Sequence, residues 1–151
     1  MNNKGQLSTE YLVILAVVVI VALIVVTVLG GFIDIGTGAG AQAAKGYWRS
    51  ADIGILNWKV SSTAGGSEFM VRNNLDYRIE ISDVSVDGAS VHSTATVLTA
   101  GQSKKFTLTG TLCSAAGDQY AMPVKFTYKD VDNDISGLTF TGTKNIEGNC
   151  E

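Results

Sequence analysis

The chain has 151 residues and a formal net charge of −3, which allows one domain of ordinary size. It carries no basic stripe and no interleaving of basic with aromatic residues, which argues against nucleic acid as a partner. With His92 its only histidine and no G-x-S-x-G or P-loop pattern, it offers no His-rich metal site and no catalytic constellation, so neither enzymatic activity nor a cofactor is expected.

The apolar residues are unevenly distributed. Tyr11 to Ile33 contains no charge, and Leu12 to Leu29 is a run of 18 residues made of Leu, Val, Ile and Ala with a single Thr27. As a helix this run rises about 27 Å, close to the ~30 Å hydrocarbon thickness of a bilayer. The valine-rich stretch would favour a strand in water, but in lipid a single span must satisfy its own backbone and is therefore helical. An ordinary secretory signal fits poorly, because the run is too long and no A-x-A-like site follows it.

Lys4-Gly5-Gln6-Leu7-Ser8-Thr9-Glu10-Tyr11 stands directly in front of this run. Gln6, Ser8 and Glu10 match the Gln-x-Ser-x-Glu pattern, and the segment resembles the processing site of archaeal type IV pilin precursors, the class III signal peptide. Gly5, Glu10 and Tyr11 also fit the wider short-leader pattern. The family has Leu four residues after the Glu in some forms, where this chain has Ile14. The resemblance covers about the first 30 residues. It implies a leader, 1–5, removed between Gly5 and Gln6, an assembly and transmembrane helix with a Gly-rich segment over 6–50, and a head over 51–151.

The physical chemistry of these residues runs beside the resemblance. Glu10 lies at the edge of a lipid-compatible segment, where an ionised carboxylate costs up to a few kcal/mol unless it snorkels or is paired. Cleavage would remove Lys4 and create an α-amino group on Gln6, with a reference pKa of about 7.7–8.0. Four residues separate that amine from Glu10, so the two can meet on one helix or pair between neighbours. The family implies pairing between subunits, which sets the axial register. The alternative is Glu10 at headgroup level with no partner.

Beyond the run, Gly30, Gly31, Gly36, Gly38 and Gly40 interrupt the apolar helix and Ala39, Ala41, Ala43 and Ala44 keep side chains small, which suits either close helix packing or a flexible linker. Helix over Gln42 to Arg49 is plausible. From Asp52 on, alternating apolar residues and turn signals predict seven strands, at 53–60, 67–73, 77–87, 91–98, 103–112, 119–129 and 136–144, with a bulge near Ser82-Asp83. The fold class expected is α+β, a long apolar helix followed by an immunoglobulin-like antiparallel β-sandwich. Trp58, Phe69, Phe106, Phe126 and Phe140 are expected in its core, and Trp48 at the junction of helix and head.

Cys113 and Cys150 both fall in the head and favour a disulfide in an oxidising compartment, the alternative being two buried thiols. Asp130, Asp132 and Asp134 have the spacing of half a calcium loop, but Ile135 and Thr141 replace its Gly and Glu, so a solvated turn is the better reading. No Asn-x-Ser/Thr sequon occurs.

The expected function is a homopolymeric extracellular filament subunit serving surface adhesion, its precursor in the cytoplasmic membrane with the N-terminus inside. The resemblance implies a prepilin peptidase, an assembly ATPase and a membrane platform protein as partners. The alternatives are a single-span membrane protein with a binding ectodomain, and a minor pilin or archaellum-type subunit.

Overall fold

The structure is a computed structural model that describes the backbone over residues 4–30 and 34–151, and side chains over 9–22, 24 and 39–151. The chain forms two compact units, 1–37 and 38–151. Helix α1 spans Lys4–Gly30, and helix α2 spans Asp34–Ser50.

Helix α2 survives its glycines because its last turns are anchored. Ala44 and Trp48, four residues apart on one face, are both fully buried. The Trp48 indole meets Phe126 and Phe140 edge-on, with ring centroids 6.4 and 6.3 Å away. The helix end is closed by Asn74, whose side-chain amide donates to the carbonyls of Arg49 at 3.1 Å and Ala51 at 2.7 Å. These are carbonyls that a helix C-terminus otherwise leaves unsatisfied.

Ten strands follow: β1 Ile53–Lys59, β2 Ser67–Asn73, β3 Ile79–Val86, β4 Ala89–His92, β5 Thr96–Leu98, β6 Ser103–Leu108, β7 Gln119–Met122, β8 Val124–Asp130, β9 Ile135–Thr141 and β10 Ile146–Asn149. They form antiparallel sheets ordered β1-β2-β6, β4-β3-β8-β9 with β5 also paired to β3, and β10-β7. The class is thus α+β with a β-rich head.

Three differences from the seven expected strands have local causes. The expected strand 91–98 is two strands, which pair with opposite ends of β3. The expected strand 119–129 breaks at Pro123, which has no N–H to give to a ladder. Strand β10 is short and carries no alternation; it exists by pairing with β7. The bulge falls where expected, as a register shift between Ile81 and Asp83. Asp87 and Gly88, with φ of 50° and 80°, form the two-residue turn that joins β3 to β4.

Side chains from the β1-β2-β6 and β4-β3-β8-β9 sheets meet in one core with Trp48. Phe69, Phe106 and Phe126 are fully buried, while Trp58 and Phe140 pack against the core partly exposed. Trp48, near the end of α2, is itself a core residue.

Cys113 and Cys150 are joined in a disulfide across 37 residues, which by the chain-entropy model stabilises the fold by about 4 kcal/mol. The last residues continue the pairing: Glu151 N–H donates to the Val60 carbonyl, and Ser62 N–H donates to the Glu151 carbonyl, both at 2.9 Å.

The Trp48 ring lies where a Cβ on Gly142 would sit, so only glycine fits there. Gly142→Ala should cost about 1–3 kcal/mol by overpacking. The check is a thermal melt of the full chain in detergent followed through tryptophan fluorescence. An unchanged midpoint would contradict this packing.

Candidate functional site

Helix α1 is the candidate. Its helical backbone runs through Gly5, Gln6 and Ser8, whose side chains lie outside the described residues, as does any amine–carboxylate contact of Gln6. The Gly5–Gln6 bond falls in the first turn, where backbone N–H groups have no intrahelical acceptor, so unwinding there is cheap. Gln6 and Glu10 are one helical turn apart, on one face. Thr9, Glu10 and Tyr11 are exposed.

After Glu10 the helix is apolar on every side. The exposed large apolar residues of α1 are Tyr11 to Leu15, Ala16 excepted by size, then Val17 to Val21, and Ile24. Burying such side chains is worth ~1.5–3 kcal/mol each, so together they favour leaving water by roughly 15–30 kcal/mol. Among the described residues, no helix is long and apolar enough to cross a membrane. The described side chains of α1 end at Ile24, whereas the apolar run in the sequence continues to Leu29 and the helical backbone to Gly30. The shortfall is in what is described, not in composition.

The head holds the other residues that sequence singled out. Asp130 is buried and accepts from the N–H groups of Asp132 and Asn133, both at 3.0 Å, and from the Asn133 side chain at 2.8 Å. Asp132 pairs with Arg78 at 2.7 Å, and Asp134 pairs with Lys129. Arg78, through its backbone N–H first and then its side chain, holds the Asp132 carboxyl below its usual range; hydrogen bonding to Lys129 does the same for Asp134. Both contributions to stability are present above the ordinary carboxylate range and fade as pH falls through these lowered values. The three carboxylates thus face separate partners instead of a shared point, and no group of metal-ligating residues gathers among the described residues.

His92 packs instead of ligating: its ring stacks on Phe106 at 4.6 Å, and Nδ1 lies 3.2 Å from the Thr107 carbonyl. Burial, and next a hydrogen bond with Tyr77, push the Tyr128 hydroxyl up to about 12, so it stays neutral at physiological pH. Sequence reasoning missed how Tyr47 takes part: its hydroxyl accepts from Thr143 N–H at 3.0 Å. The Ala44/Trp48 spacing was the available signal that this end of α2 belongs to the head.

Adding millimolar calcium should leave the melting midpoint unchanged, while Asp130→Ala should lower stability by about 1–3 kcal/mol through its orphaned N–H groups. Melts with calcium and with chelator check this; a calcium-dependent rise would reveal a site.

Residues 3–29 match the family model of the class III signal peptide. This is the segment of type IV pilin-like prepilins, and it implies processing by a prepilin peptidase and handling by pilus assembly machinery. No curated protein matches the chain.

Proposed function

We propose that the chain is the structural subunit of an extracellular type IV pilus-like filament, assembled through α1 after leader removal. The observation that carries this reading is the class III signal peptide match placed directly on an all-round apolar helix. A processing site, an assembly helix and a disulfide-stapled head occur in that order along one chain.

In this reading the peptidase hydrolyses the Gly5–Gln6 bond and frees an α-amine that is largely protonated near neutral pH. Glu10 of one subunit pairs with the Gln6 amine of another. A misaligned neighbour leaves a charge unpaired in an apolar seam, so the pair specifies axial register. Ser8 and Tyr11 belong to the motif that the peptidase reads. An assembly ATPase and a membrane platform protein drive extraction from the membrane, where the precursor sits with its N-terminus inside, and the apolar helices then cover one another in the filament core.

The head is an immunoglobulin-like sandwich forming the outer wall, a reading supported by the β1-β2-β6 and β4-β3-β8-β9 orders around one core. Its role is structural and adhesive, without catalysis or cofactor.

The test separates processing from assembly. Gly5→Asp should accumulate as uncut precursor in membranes, whereas Glu10→Ala should be cut yet yield few or no surface filaments, read by immunoblot and electron microscopy of sheared material. Wild-type filament yield from either variant would contradict the assignment. Retention of the uncut wild-type chain in membranes would favour a single-span anchored ectodomain.

A further inference from the structure

Several strand edges of the head are closed in different ways. Strand β6 carries the exposed charges of Lys104 and Lys105, which discourage edge pairing. The end of β1 receives backbone bonds from Glu151 through Val60 and Ser62. The end of β4 is tied to the residue that follows β6, Thr109, whose N–H donates to the Val91 carbonyl at 2.6 Å. Strand β9, the outermost of its sheet, reads Ile-Ser-Gly-Leu-Thr-Phe-Thr, with no charge and no proline.

The ladder fixes which backbone groups of β9 face outward. Gly142 N–H donates inward to the Val124 carbonyl at 3.1 Å, so by alternation Phe140 also pairs inward with Phe126. Thr139, Thr141 and Thr143 therefore face away from β8. Thr143 confirms the parity, because its N–H is taken by the Tyr47 hydroxyl. Among the described residues no strand or backbone group pairs with the outer side of Thr139 or Thr141, and both residues are exposed. At the other end the edge is interrupted by the bulge between Tyr128 and Asp130, opposite Gly137 with φ 76°. What remains open is short, neutral and bounded on both sides.

We infer that this edge pairs antiparallel with the same edge of a second copy of the chain, about a two-fold axis at Phe140, and thereby joins filaments side by side. The inference rests on the filament reading above. Centred there, Thr139 of one copy lies opposite Thr141 of the other, and both present outward backbone groups, so each such pair exchanges reciprocal hydrogen bonds. A second copy matches the open stretch in length and ends where it ends, which an arbitrary extended peptide would not. Threonine side chains meet across the new rungs, a favourable cross-strand pairing. Neutrality matters because each chain carries −3, and this edge lets two copies approach without opposing like charges.

Symmetry decides where the contact acts. Subunits of one polar filament are related by rotation with translation, so a closed two-fold contact joins neighbouring filaments rather than subunits of the same one. One such contact buries far less than the ~1,000 Å² of a stable interface, so isolated heads stay monomeric. Repetition along two filaments supplies the affinity through effective concentration.

Thr141→Pro removes one outward N–H and leaves the inner ladder intact, as edge prolines do. Thr139→Lys charges the edge without touching that bond. Sheared filaments are compared by electron microscopy and by pelleting at low speed. Wild-type filaments should form bundles, and both variants should form single filaments with a several-fold smaller pelleted fraction and an unchanged melting midpoint. Equal bundling in the variants, or wild-type filaments that remain single, would overturn the inference. Variants that make no filaments when the wild type does would place the edge inside the filament and overturn it too. A wild-type chain that makes no filaments would remove the reading itself, and this inference with it.

Discussion

A helix that is apolar around its whole circumference has no stable place in water, and this constraint governs the molecule. An amphipathic helix buries one stripe and wets the other, so it can lie on a head domain. Helix α1 exposes large apolar side chains from Tyr11 to Leu15, from Val17 to Val21 and at Ile24, so its described surface after Glu10 offers no polar side to water. Either lipid tails or other apolar helices must surround it. In the proposed reading, a precursor held in a membrane and a subunit packed in a filament core are the two solutions, and removal of the leader passes the chain from one to the other. In that reading the charged residue at the start of the run, Glu10, pairs with a neighbouring subunit.

The head is bound to the end of α2. Trp48 ties the end of α2 into the core, with its indole against Phe126 and Phe140 and its ring filling the space beside Gly142. Asn74 closes the helix end by donating to the carbonyls of Arg49 and Ala51. The disulfide and the Glu151 bonds to Val60 and Ser62 hold the tail to the β1 end. Asp130, Asp132 and Asp134 are engaged in turn and ion-pair bonding.

The features legible in the sequence were those written in local pattern. The apolar run, the Gln6-Ser8-Glu10 signature, the bulge at Ser82-Asp83 and the aromatic core positions each depend on a few neighbouring residues. The split of 119–129 has its signal in the sequence at Pro123, which cannot donate to a ladder. Strand β10 was not legible, because Ile146 to Asn149 forms a strand only opposite β7, beside a disulfide that fixes the tail. The burial of Trp48 and the cap that Tyr47 places on Thr143 join residues almost a hundred positions apart in sequence, which no local period reports. The open edge of β9 is likewise a property of the sheet order, since its sequence alone does not say that it lies outermost.

The most direct measurement is intact mass with N-terminal sequencing of the chain from sheared cell-surface material. The account predicts an abundant species beginning at Gln6, with the Cys113–Cys150 disulfide intact. A chain beginning at Met1 and recovered only from membranes would contradict it, and α1 would then be a permanent anchor rather than an assembly helix.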